Sequence, residues 1–334
     1  MRETITENKM GVAPVWSLLL KMALPVILST AVQALYNIVD GIFVAMISEK
    51  ALSAITYAMP MVTLLTALST GIAVGMNTML SRALGEKIQQ EVNDAAEAAV
   101  FLVMITGAVS LVTGFTRLPS AFMNTQTADL EIFDAGIKYL KVCYIFGIGT
   151  IAQLFFERML ISTGKTLYSM ISQLVGAVLN IVIDPILIFG LFDFPEMGII
   201  GAAVATVLSQ ITAAGIALFL NTKKNKEIQL RFSIEPRFYA VKRVLYLGIP
   251  SAVLLALNSF MMFNFNAVLS KFSSTAVAVF GACCRYTHLF YAVLNALCST
   301  SVTSNVYTHL KLEDAQREME RLERIEKEMK KCAK

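Results

Sequence analysis

The sequence predicts an all-α polytopic membrane protein of about eight transmembrane helices: a complete six-helix N-terminal lobe, then the first two helices of a second parallel repeat. Three observations predict it. Hydrophobic residues make up 56% of the 334-residue chain and charged residues 16%, where an ordinary soluble domain carries roughly 25% charged; the mean hydropathy is +0.64. Apolar runs recur at the length a bilayer demands, about 20 residues for a core about 30 Å thick. The chain also matches itself at a fixed offset, described below.

The runs fall at 20–47, 52–79, 95–115, 134–162, 167–192, 197–220, 244–270 and 276–303. They are too long and too uniformly apolar for the strands of a membrane barrel. The first exceeds the roughly 7–15 apolar residues of a signal peptide and lacks a small-residue cleavage site, so it is expected to be retained. The organisation that follows is a cytoplasmic N-terminal segment (1–19), the six-helix lobe (20–220), a basic linker (221–243), a partial second lobe (244–311) and a charged tail (312–334).

Basic residues gather at alternate joints: Arg2, Lys9 and Lys21, then Arg82 and Lys87, then Arg158 and Lys165, then Lys223 to Arg243. The intervening joints carry few, among them Lys50, Arg117 and Lys271. The positive-inside rule then puts both termini and the basic joints in the cytoplasm, in an inner or plasma membrane.

An offset of 225 residues aligns Pro25 with Pro250, Ala31 with Ala256, Ser48 with Ser273, Ala51 with Ala276, Leu64 with Leu289 and Thr78 with Thr303. Six helices separate the copies, an even number, so the repeats run parallel about an axis along the membrane normal, as in many secondary transporters. The second copy ends after two helices. From Leu312 the chain carries i,i+4 pairs such as Glu313/Arg317 and Glu320/Arg324, with a thin apolar stripe of Met319, Leu322, Ile325 and Met329, which predicts a solvated cytoplasmic helix.

Several classes are disfavoured. The cysteines (Cys143, Cys283, Cys284, Cys298, Cys332) show no CxxC spacing, and His288 and His309 form no ligand cluster. No nucleophile with its base is visible, so an enzyme is not expected. A nucleic-acid partner is not expected either.

What remains is polar chemistry inside apolar spans, where an ionisable group costs on the order of 3 kcal/mol or more. Asp40 shares a stripe of helix 1 with Gln33, Tyr36 and Asn37, at spacings of three, four and seven. Asp184 lies four residues after Asn180, on the same face, and Pro185 frees the carbonyl of Ile181 close by. A carboxylate, an amide oxygen and a spare carbonyl suit a hard cation. Counting from the inner ends puts Asp40 and Asp184 at one depth, with Tyr139 and Thr206 also in the outer half. Two carboxylates in one site do not both stay ionised cheaply, so the pair is expected to bind a proton or a cation. Glu157 and Arg158 are expected at the cytoplasmic interface, in structural roles.

The run Met22-Ala-Leu-Pro25 to Asp40-Gly41 resembles helix 1 of the multidrug and toxic compound extrusion (MATE) family. So do Arg158-Met-Leu-Ile-Ser-Thr-Gly164, Gly176-Ala-Val-Leu-Asn180-Ile-Val-Ile-Asp184-Pro185, and Gly198-Ile-Ile-Gly201-Ala-Ala-Val-Ala-Thr206. The resemblance covers about residues 14–282. It implies a polyspecific antiporter that expels cationic or amphipathic compounds in exchange for Na+ or H+, with no other cofactor. Asp40, Asn180 and Asp184 match positions that bind the coupling cation, Na+ if sodium-coupled. Gln33, Tyr36 and Tyr139 match positions lining the same cavity, to which its place on the stripe adds Asn37. A further ligand falls on Ala202 or Thr206, and Thr206 is taken here.

The family has twelve helices in two lobes, and Phe265 stands at the repeat position of Asp40. The chain is therefore expected to be C-terminally shortened, with coupling confined to the first lobe and transport poor unless a second subunit completes the cavity. The expected partners are membrane lipid, small-molecule substrates and that second subunit. Two alternatives stay open. A lipid-linked precursor flippase of the same superfamily should show a cationic cavity, and the spans read as nearly free of Lys and Arg. A non-transporting structural or regulatory membrane protein is the other.

Overall fold

The computed structural model describes residues 15–225, 227–228, 236–287 and 290, with side chains from Leu24 onward. The segment before residue 15, most of the run at 276–303, and the charged tail lie outside the described residues. The elements are α1 (Val15–Ile47), α2 (Glu49–Gly85), α3 (Gln89–Phe115), the short α4 (Leu118–Asn124), α5 (Leu130–Ile145), α6 (Ile148–Ser162), α7 (Thr166–Phe189), α8 (Ile199–Lys224) and α9 (Phe238–Leu269). A further helix, α10, covers residues 274–287.

α1, α2, α3, α7, α8 and α9 are each long and apolar enough to cross a membrane, and α5 with α6 makes a seventh span bent by 49°. The run at 134–162 is thus two helices. Gly147 marks the break: a methyl there would come 3.0 Å from Leu65 Cδ2 and 3.1 Å from the Cys143 carbonyl. The carbonyl of Tyr144, beside the bend, accepts from Ser110 Oγ at 2.7 Å. The basic linker is also shorter than the hydropathy suggests, because α8 continues through Lys224 and α9 begins at Phe238.

α2 is the hub. Among the described helices it packs most extensively along α9, and it also touches α3, α5 and α6. Gly71 and Gly75 on α2 face Gly248 and Ala252 on α9; a methyl on Gly71 would lie 2.6 Å from Ala252 Cβ, and one on Gly75 3.0 Å from the Gly248 nitrogen. Small residues at such spacing let two backbones approach where lipid supplies no hydrophobic drive. Pro60 has no N–H, so the carbonyl of Thr56 loses its helical donor. Asn266 Nδ2 on α9 donates to that carbonyl at 3.0 Å, so the two helices are joined at the proline's defect.

α1 packs mainly along α7. Leu24, Leu28, Leu35, Ile42 and Met46 form an exposed apolar stripe along it, the face expected to meet lipid. This leaves the Gln33, Tyr36 and Asp40 side of the helix toward the protein.

The joints alternate between two ends. At one end Lys50 pairs with Asp129 at 3.4 Å and Glu131 at 2.5 Å, and Thr275 Oγ1 donates to Glu49 at 2.5 Å. At the other, Arg237 pairs with Asp94 at 2.9 Å, while Arg243–Glu91 and Lys165–Glu227 stand at 3.7 Å. The basic joints therefore share one end. The repeat offset reappears in the caps: Ser48 Oγ accepts from the Ala51 nitrogen at 3.0 Å, and Ser273 Oγ from the Ala276 nitrogen at 3.0 Å.

The α2–α9 crossing makes a first prediction. Gly75→Leu should lower stability by about 1–3 kcal/mol, read as a lower midpoint of thermal unfolding in detergent. An unchanged midpoint would show that the two backbones do not depend on this close approach.

Candidate functional site

The site is built on α7. Gln173, Asn180 and Asp184 are spaced by seven and four residues, which places them on one helical face. Gly176 lies on the same side, where a methyl would come 3.0 Å from Ala213 Cβ and 3.3 Å from the Ser209 carbonyl on α8. The missing side chain lets α8 lie close, so Asn180 Nδ2 stands 3.5 Å from Thr206 Oγ1 and 3.4 Å from Asp184 Oδ1. Asn180 is 1% exposed and Asp184 fully buried. Among the described residues, Asn180 Oδ1 and Asp184 Oδ2 have no hydrogen-bond donor. A buried acceptor without a donor costs about 1–3 kcal/mol, and a proton or small cation is the group that two such oxygens together would attract.

Beside this pair opens a narrow cleft with room for about one water molecule. α1 contributes Gln33 and Tyr36, α6 Gln153, α7 Gln173 and Asn180, and α8 Thr206, Ser209 and Gln210. Most of the lining side chains carry an amide or a hydroxyl, although much of the surface they present is apolar. Gln210 is held by Thr150 Oγ1, which donates to its Oε1 at 2.5 Å. The structure therefore brings Gln33, Tyr36, Asn180 and Thr206 together at one cleft, with Asp184 adjoining it through Asn180.

Asn37, Asp40 and Tyr139 stand outside that cleft. Asp40 is paired with Arg285 of α10: Nη1 lies 3.0 Å from Oδ2, with side chains 8% and 15% exposed for Arg285 and Asp40 respectively. The same Nη1 donates to the Asn37 carbonyl at 2.9 Å, while the Asn37 side chain is exposed. Gly41 makes room, because a methyl there would lie against the guanidinium, 2.9 Å from Arg285 Cδ. Tyr139 is buried on α5, one turn before the buried Cys143. The expectation that the two aspartates meet directly is thus modified. The arginine, rather than an open pocket, is what stands beside Asp40.

Two buried charged side chains stand out that the sequence reading did not place at the site. Arg285 lies in an apolar run read as nearly free of basic residues, and the signal that could have found it is that single charge. Glu157, expected at an interface, is 2% exposed. It accepts from Gln153 Nε2 at 3.0 Å and Gln173 Nε2 at 2.6 Å.

A bundle of long apolar helices that encloses a polar cleft and buried carboxylates is the build of a multi-pass membrane transporter. The MatE family model matches residues 25–186, a stretch that includes Asp40, Asn180 and Asp184. A probable multidrug resistance protein NorM of Thermotoga maritima is 32% identical over 237 residues, 70% of this chain and 50% of that protein. A FAD transporter of Shewanella oneidensis is 26% identical over 296 residues, 86% of this chain and 64% of its own length. Among solved structures, the inward-facing conformation of a multidrug resistance MATE family transporter of the MOP superfamily superposes with a TM-score of 0.73 at 26% identity, over 81% of this chain and 61% of that one. The chain belongs to the MATE family of transporters. It spans about half the length of the NorM relative.

The Asp40–Arg285 pair yields a second prediction. Removing one partner of a buried ion pair leaves an uncompensated charge, at a cost of about 3–5 kcal/mol. Arg285→Leu should lower unfolding stability by that order, and Asp40→Asn added to it should restore most of the loss. A double variant no more stable than Arg285→Leu alone would show that the two residues do not interact.

Proposed function

We propose that this chain carries the cation-coupling half of a MATE-type antiporter, which expels amphipathic or cationic small molecules in exchange for Na+ or H+ by alternating access. The observation that carries the reading is the pair of donorless buried oxygens, Asn180 Oδ1 and Asp184 Oδ2, beside a polar cleft. Asn180 Nδ2 faces Thr206 and Asp184 in this structure; a flip of the amide would turn Oδ1 toward them and make an all-oxygen set, the chemistry a hard cation requires. Three oxygens fall short of a full Na+ shell and are more than a proton needs, so the coupling ion is left open between the two.

In this reading Asp184, Asn180 and Thr206 hold the ion, and Gln33 and Tyr36 meet the cargo or shape its entrance. Asp40 acts through Arg285. A positive charge arriving at Asp184 repels the guanidinium and weakens its hold on Asp40, which loosens α10 from α1. A ligand shifts a conformational equilibrium only by its differential affinity for the two states, and this bridge provides a contact that differs between them. The membrane is an inner or plasma membrane with the basic joints in the cytoplasm. Lipid and a small-molecule cargo are the natural partners, and a second subunit is a further candidate.

The flippase alternative asks for a cationic cavity. Arg285 is a buried cation, but Asp40 neutralises it and it stands outside the cleft, which favours the antiporter. A purely structural protein would have no use for the unpaired oxygens at Asn180 and Asp184.

The test is on the purified full chain in lipid nanodiscs. It should bind 22Na+ saturably, or show a protonated-carboxyl C=O band in pH-jump infrared difference spectra. Asp184→Asn should weaken the binding at least tenfold, about 1.4 kcal/mol, or abolish the band, with thermal unfolding unchanged. The same binding or the same band in Asp184→Asn would refute the assignment.

A further inference from the structure

Glu157 is a second buried carboxyl that the reading above does not use. It projects from α6 toward α7, 2% exposed, and its two oxygens accept from Gln153 Nε2 and Gln173 Nε2. Ser172, one residue before Gln173, donates its hydroxyl proton to the Ser169 carbonyl at 2.8 Å. Among the described residues no basic side chain lies within ion-pair distance of it. Both glutamines also line the cleft that reaches Asn180 and Thr206. Gln173 is seven residues nearer the start of α7 than Asn180, about 10 Å along the axis, toward the end that carries Lys165 and the other basic joints. The Oε1 of Gln173 is buried and has no donor among the described residues.

We infer that Glu157, framed by Gln153 and Gln173, is a second proton-binding station, placed at the basic end of the cleft from the Asn180–Asp184 pair. This deepens the antiport reading and rests on it. The frame suits a group that changes protonation. An amide offers N–H to a carboxylate or, after a flip, C=O to a carboxylic acid, so the same two glutamines satisfy either form. A Na+ ion is served less well, because both carboxylate oxygens already face N–H donors. Binding forms one O–H bond on Glu157, whose hydrogen is taken by a glutamine carbonyl; release breaks that bond and returns the proton to water, with no other bond changed.

The groups that face Glu157 are few. α7 brings Ser172 and Gln173, α6 brings Gln153 and the neighbouring Arg158, and Tyr36 of α1 is within electrostatic range. The residues α8 places at the cleft, Thr206, Ser209 and Gln210, carry no charge. α2 and α3, which also pack on α6, bring no charged group to it among the described residues.

The experiment is infrared difference spectroscopy after a pH jump, on the full chain in nanodiscs. Glutamate labelled with 13C should shift a C=O band that labelled aspartate leaves in place, and Glu157→Gln should remove that band while any Asp184-dependent signal stays. Gln173→Leu should move the band's frequency, because it removes one of its two hydrogen-bond partners; this variant keeps the test decisive if Glu157→Gln does not fold. A carboxylate that only glues α6 to α7 keeps one protonation state and yields no such band, which overturns the inference. An Asp184-dependent signal with no glutamate band leaves the antiport reading standing and this inference refuted. Absence of both bands, together with no saturable 22Na+ binding, removes the two readings together.

Discussion

The structure turns on what a charge costs inside a membrane. Each ionisable group in the spans must find an opposite charge, a set of hydrogen bonds, or a proton. The three buried acids resolve this differently. Asp40 has an arginine, Glu157 has two amide donors, and Asp184 has one long contact from Asn180 and an oxygen with no donor. Of the three, Asp184 is the least compensated by the protein itself. That is why it is the natural place for a mobile ion.

The helices around it are arranged to keep this imbalance in place. Gly176 draws α8 against α7, which brings Thr206 to Asn180; Gly41 leaves room for a guanidinium beside α1; Gly71 and Gly75 hold α9 close to α2. α9 leads directly into α10, and α10 carries Arg285. The arginine that balances Asp40 therefore reaches α1 from the far side of the α2–α9 contact. Any change in how these helices sit together alters the field at Asp184, and the converse holds by linkage.

Much of this was legible in the amino-acid order. Span lengths follow from bilayer thickness, and the long helices lie where the apolar runs do. The Asn180–Asp184 spacing put both side chains on one face of α7, and the alternation of basic joints matches the two ends of the bundle. The joint at Ser48 recurs at Ser273 down to the capping bond. Less visible were features that depend on how helices bend and cross. Sequence position put Glu157 near the cytoplasmic end of its span, but could not show that Gln153 and Gln173 would close over it and bury it. Arg285 was lost in a run judged by its average, although an isolated charge in an apolar span is itself a signal. Asp40 was assigned to a shared pocket because a helical stripe shows which way a side chain faces, not which partner from another helix reaches it first.

The central claim is that the Asp40–Arg285 pair and the ion site at Asp184 share one electrostatic environment. The most direct measurement is the cation affinity of Arg285→Gln, read as 22Na+ binding or as the proton concentration that half-saturates the Asp184 carboxyl. Taking away the guanidinium removes a repelling charge and frees the negative charge of Asp40, so the account predicts tighter binding, by tenfold or more, about 1.4 kcal/mol. An affinity equal to that of the unaltered chain would mean that the two carboxylates are electrostatically independent, and the proposed coupling would be wrong.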